Sequence, residues 1–80
     1  MTQKNMTLWD GVPKGTYSIE RIILEDLLAR RLESLGINEG TKAYIITKKK
    51  SGSMVIKIRG SRLALGKYIT SNIEVKEVVE

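Results

Sequence analysis

The run Arg31-Leu32-Glu33-Ser34-Leu35-Gly36-Ile37-Asn38-Glu39-Gly40-Thr41 restricts the fold more than any other part of this chain. Leu24, Leu28, Leu32 and Leu35 recur at helical spacing. Gly36 falls where a left-handed C-terminal cap is expected, because glycine enters that backbone conformation without steric cost. The helix therefore ends at Gly36. Beyond the second glycine the period changes, and Thr41-Lys42-Ala43-Tyr44-Ile45-Ile46-Thr47-Lys48 alternates as a strand does. A helix handed straight into a sheet through a glycine-bounded connection narrows the fold.

The same patterning organises the rest of the chain. Residues 1–7 read as a flexible N-terminus and residues 8–80 as one domain, opening with a packed lead-in anchored by Leu8 and the single tryptophan, Trp9. Pro13 and Gly15 bracket a turn before a first strand, Thr16 to Ile23, whose alternation fails near its end as in a bulged strand. The helix spans Glu25 to Leu35, with Leu24, Leu28, Leu32 and Leu35 in one quadrant, Leu27 beside them and Arg31 inside the apolar arc. An arginine there is expected to lay its stem on the core and carry its guanidinium to the rim. Lys42–Lys48 and Met54–Arg59 form a hairpin across Lys49-Lys50-Ser51-Gly52-Ser53, with Met54, Ile56 and Ile58 on one side and Val55, Lys57 and Arg59 on the other. A turn at Gly60-Ser61, a short strand to Leu65, a helical turn with Tyr68 and Ile69 inward, and a closing strand Ile73–Val78 complete the chain. Five short strands with one helix between the first two predict a mainly β fold, a small barrel, since closure removes unpaired edges.

With 80 residues the core is small, and little volume remains for a catalytic pocket. There is no histidine and no cysteine, so imidazole and thiolate chemistry, disulfides and the common soft-metal sites are excluded. The serines beside Lys50 sit on a hairpin tip without a positioned base or an oxyanion site, and Gly60-Ser61-Arg62-Leu63-Ala64-Leu65-Gly66 lacks the ending of a phosphate-binding loop. No catalysis and no cofactor are expected. No apolar run is long enough to cross a bilayer and no signal core follows Met1, so a cytoplasmic chain without membrane insertion is expected, peripheral to the inner membrane only through a partner.

The charge is uneven. Lysine and arginine outnumber the acids 14 to 9, and no acid occurs between Glu39 and Glu74, a gap that holds Lys42, Lys48, Lys49, Lys50, Lys57, Arg59, Arg62 and Lys67. One positive face is expected, suited to an anionic partner.

Together these residues resemble the FeoA family, the small cytoplasmic partners of the bacterial ferrous-iron transporter FeoB. The resemblance runs from Leu8 to Val78. It rests on Pro13-Lys14-Gly15, on Arg31-Leu32 followed by Leu35-Gly36-Ile37 and Glu39-Gly40-Thr41, on the hairpin at Gly52, and on Arg62-Leu63-Ala64-Leu65 leading to Ile73. It implies an SH3-like barrel that acts by binding. It also implies a role as accessory to FeoB, at its cytoplasmic GTPase region, in ferrous iron uptake. A similar domain forms the C-terminal module of metal-dependent transcriptional repressors, hence the family's association with transition metals. In this chain the ligand chemistry argues against a direct metal role: Glu74, Glu77 and Glu80 are the nearest carboxylate cluster, and their spacing suits a solvated strand face and tail.

The expected partner surface is a groove between the glycine hairpin and the turn at Gly60, framed by Lys48, Lys49, Lys50, Arg59 and Arg62 with Val55 as an apolar contact. A positive rim steers encounter with an acidic face, although the same lysines also keep a small hairpin soluble and protect its edges. The alternative is a basic barrel that binds nucleic acid or serves as a module of metal-dependent transcriptional regulation. Net charge favours nucleic acid, and the scarcity of aromatics for base stacking opposes it. Self-association is left open.

Overall fold

The computed structural model describes residues 6–79. A 3-10 turn over Leu8–Asp10 precedes β1 (Thr16–Ile22), α1 (Asp26–Ser34), β2 (Lys42–Lys48), β3 (Ser53–Ile58), β4 (Ser61–Gly66), the single turn α2 (Lys67–Thr70) and β5 (Ile73–Glu77). The five strands form one antiparallel sheet in the order β4-β3-β2-β1-β5. The fold is mainly β, with its helix between the first two strands. Alternate residues of every strand point to one core, which holds Tyr17, Ile19, Ala43, Ile45, Met54, Ile56, Ile58, Leu65, Ile73 and Val75. A sheet whose strands all share one core has to roll around it, and α2 carries the chain from the β4 edge to the β5 edge.

Two bulges help the sheet to bend. Ile19 and Arg21 pair with the consecutive residues Val75 and Glu74, leaving Glu20 extra. Ile45 and Thr47 pair with Ile56 and Val55, leaving Ile46 extra. An extra residue kinks its strand and raises the local twist. It also shifts the side-chain alternation, which is why Ile22 packs on the core three residues after Ile19 and why Ile45 and Ile46 follow one another.

The chain is tied down earlier than the sequence suggests. Val75 donates its N–H to the Met6 carbonyl at 2.8 Å, and Thr7 bridges Glu74 across the edge of β5. Of the segment expected to be flexible, Met6 and Thr7 are therefore held, and residues 1–5 lie outside the described residues.

The helix stop is a full Schellman cap. Gly36, at φ +96°, donates to the Glu33 carbonyl, and Ile37 donates to the Leu32 carbonyl at 2.9 Å. Leu32 and Ile37 are both buried in the one core cluster, where the apolar pairing that accompanies this motif is expected. Gly40, at φ +88°, then occupies the third position of a turn closed by Thr41 N–H on the Asn38 carbonyl. That turn delivers β2 beside Ile19, whose N–H bonds to the Thr41 carbonyl.

Two expectations about side chains are corrected. The leucine stripe of α1 does not enter the core as a block: Leu32 alone is buried, Leu24 and Leu28 are half-buried, and Leu27 and Leu35 are 81% and 46% exposed. The helix lies outside the rolled sheet and reaches the core only near its C-terminal end. Tyr68 also turns outward, its hydroxyl 3.5 Å from a Glu25 carboxylate oxygen. The inward position of α2 is filled by Thr70, whose hydroxyl donates to the Gly66 carbonyl and so can be buried without an unmet polar group.

Candidate docking surface

The basic residues singled out from the sequence do not frame one groove. Lys48, Lys49 and Lys50 lie at the β2–β3 tip, whereas Arg59 lies at the β3–β4 turn, at the opposite end of β3. From Met54 to Ile58 the strand rises about 13 Å. Arg62 pairs directly with Lys57 on the outer face of the sheet near that second turn. Val55 lies between, half-buried, with Thr47 on one side and Ala64 on the other. The expected single positive face is thus two basic clusters, because a hairpin and its successor necessarily place their tips at opposite ends of the shared strand.

The first cluster is organised by Trp9. Lys48 Nζ lies 4.6 Å from the centroid of the Trp9 ring, and Lys67 Nζ lies 5.5 Å from it. Gly52 of the tip lies against Lys67, since a Cβ built at Gly52 would meet Lys67 Cβ at 3.7 Å. Trp9 is positioned by the 3-10 turn, which starts at Thr7 and is closed by Asp10: one carboxylate oxygen accepts from Thr7 N–H at 2.9 Å and from the Thr7 hydroxyl at 3.0 Å.

The second cluster sits on a strained turn. Arg59 and Gly60 form the two-residue loop between Ile58 and Ser61, and both have positive φ, +51° and +82°. This is the geometry of a type I′ hairpin, in which asparagine-glycine is the favoured pair. The Arg59 stem runs toward the end of α1: Arg59 Cδ is 4.0 Å from where a Gly36 Cβ would stand. A cation at that position is favoured by the helix dipole.

Between the two clusters, beside α1, is a surface that sequence reasoning missed. Leu28, Leu32, Leu35, Ala64, Leu65 and Ile69 line a groove of about 300 Å³, with Arg31 at its margin. Its walls are α1 on one side and β4 with α2 on the other. Arg31, expected to lay its stem on the core, is instead exposed and contributes to the lining of this surface groove. The signal was present in the helix, whose leucines outnumber what a short helix on a small barrel can bury. Val55 adjoins this surface through its pairing with Ala64.

The residues do not fit a resident metal. Histidine and cysteine are missing from the sequence, and among the described residues no group of three or more potential ligands converges. Glu74 and Glu77 lie on opposite faces of β5 by strand alternation, and Glu80 lies outside the described residues. Among the described residues no helix is long and apolar enough to cross a membrane.

Comparison with known proteins agrees with this architecture. The model of the FeoA domain matches residues 6–77. The chain belongs to the FeoA family. A FeoA-like protein from Clostridium acetobutylicum is 26% identical, superposes with a TM-score of 0.83, and the match covers 99% of this chain and 93% of that one. Iron(II) transport protein A from Clostridium thermocellum is 28% identical with a TM-score of 0.85, over 91% of this chain and 46% of that one. A manganese-dependent transcriptional repressor, 22% identical with a TM-score of 0.85, shares the fold over 96% of this chain but only 43% of its own length. No curated protein sequence matches significantly. The FeoA domain associates the chain with iron uptake, and the family is one of small accessory domains of SH3-like fold rather than of enzymes.

Proposed function

We propose that this FeoA-family chain is a non-enzymatic adaptor of bacterial ferrous iron uptake that binds the cytoplasmic GTPase region of a FeoB-like transporter. The observation that carries this reading is the apolar groove beside α1. A domain of this size that leaves Leu35 exposed next to half-buried Leu28 and Ile69 is forgoing burial that its own stability would use. Covering the groove with a partner recovers it. Arg31 at the margin and Arg59 beyond the helix end supply charge for orienting an acidic partner, which bears more on association rate and register than on affinity. Arg62 and Lys57 extend that rim along β3 and β4. Lys48, Lys49 and Lys50 stand outside this surface.

The test is titration calorimetry of the chain against the isolated cytoplasmic region of the transporter from its own organism. Ala64, exposed on the groove wall, is changed to glutamate, and Leu28 to aspartate. Removing a central apolar contact is expected to weaken binding by at least about tenfold, roughly 1.4 kcal/mol. Leu27→Asp, on the exposed flank of the same helix and outside the groove lining, serves as the comparison. Unaltered affinity in both groove variants would remove the groove from the interface, and no binding by the unaltered chain would remove the proposed partner.

A further inference from the structure

The lysine cluster around Trp9 is unused by the proposed docking groove, and its composition differs from the rest of the basic surface. Lys48, Lys49, Lys50 and Lys67 meet at one end of the barrel, where the β2–β3 tip, α2 and the 3-10 turn converge. Arg59 and Arg62 are at the other end. The separation matters chemically. Arginine binds phosphate and carboxylate in a fixed fork, whereas a lysine ammonium is a compact, strongly hydrated point charge with no directional demand. A cluster of lysines alone suits a diffuse anionic surface better than a shaped ligand.

Trp9 sharpens this. Two ammonium groups lie near its ring at 4.6 and 5.5 Å, so the indole restrains both Lys48 and Lys67 and lowers the entropy lost when they meet an external charge. A single-stranded nucleic acid would need an open aromatic face on which to stack a base; here Trp9 is half-buried with two lysines near its ring, and the exposed Tyr68 of α2 directs its hydroxyl to Glu25.

We infer that this end of the barrel, Lys48 and Lys67 about Trp9 with Lys49 and Lys50 at the adjoining tip, rests on the anionic headgroups of a membrane surface without inserting into it. The inference depends on charge and geometry at this end alone and stands apart from the groove reading. Its consequence is orientational: α2 carries Lys67 in the lysine cluster and Ile69 in the groove wall, so a chain seated on the headgroups would hold the groove close to the bilayer.

The experiment is co-sedimentation of the full chain with vesicles of phosphatidylcholine containing about 30 mol% phosphatidylglycerol, beside vesicles of phosphatidylcholine alone, at about 0.1 M salt. Binding is expected only to the anionic vesicles and is expected to vanish at about 0.5 M salt as the charges are screened. Each neutralised lysine is expected to weaken partitioning about fivefold, so Lys49→Gln with Lys50→Gln together cost about 25-fold. Both are exposed at the tip, where the change leaves the core untouched. Lys42→Gln with Lys76→Gln, an equal loss of charge elsewhere, is expected to cost much less. Absence of binding to the anionic vesicles, equal binding to neutral ones, or equal losses in the two double variants would overturn the inference. So would a single-stranded RNA oligonucleotide that binds the chain more tightly than the vesicles and loses affinity in the Lys49/Lys50 variant.

Discussion

Replacing Gly36 by alanine isolates the conformational cost of the helix stop from any steric cost. A Cβ at that position would stand 3.8 Å from Ile58 Cγ2 and 4.0 Å from Arg59 Cδ, both ordinary contacts, so nothing has to move to admit it. The backbone is the whole difficulty, because φ is +96°. An L-residue held in the left-handed region costs about 1–2 kcal/mol. The restriction that alanine places on the unfolded chain offsets roughly 0.4–1 kcal/mol of this. A net loss of about 1 kcal/mol is expected, which in a domain of this size lowers the melting temperature by about 4–8 °C. Asparagine, which tolerates the left-handed region, should cost less, and valine, branched at Cβ, should cost more. Thermal unfolding of the four proteins, followed by far-ultraviolet circular dichroism and by Trp9 fluorescence, measures the order glycine, asparagine, alanine, valine. If alanine is as stable as glycine, or asparagine is worse than valine, the cap does not work as described.

Further predictions concern the lead-in and the strained turn. At Gly11 a Cβ would come within 2.5 Å of Ile45 Cδ1 and 2.8 Å of Tyr17 Cε2. Gly11→Ala should therefore lose about 1–3 kcal/mol of stability through overpacking, read from the urea midpoint. Gly66→Ala, where no atom lies within 4 Å and φ is negative, is the matched comparison, and equal effects would refute the steric account. Arg59→Asn should stabilise the domain by up to about 1 kcal/mol by relieving the positive φ in the type I′ turn, while slowing association with an acidic partner. A destabilised Arg59→Asn variant would show that the arginine stem beside Gly36 contributes more than the turn strain costs.

Most of the local structure was legible in the residues. The glycine stop at Gly36 and the return at Gly40 could be read because positive φ is a property of one residue and its neighbours. The hairpin at Gly52 was legible for the same reason. The bulge in β1 showed as broken alternation. The partition of the leucines of α1 was not legible, since periodicity reports which residues share a face but not what, if anything, that face meets. Tyr68 failed likewise, because a single helical turn has no reliable inward side until its anchors are placed.

The candidate surfaces divide along the same line. By itself the sequence determined the family, the mainly β architecture, the helix between the first two strands and the exclusion of imidazole and thiolate chemistry, all of which depend on residue type and short-range spacing. Only the tertiary structure decided that Lys48 to Lys50 and Arg59 stand at opposite ends of β3, that Lys67 joins the former around Trp9, and that a groove opens between α1 and β4. Those facts depend on which distant segments meet when the sheet rolls, and no local pattern encodes the distance between two turns that share a strand.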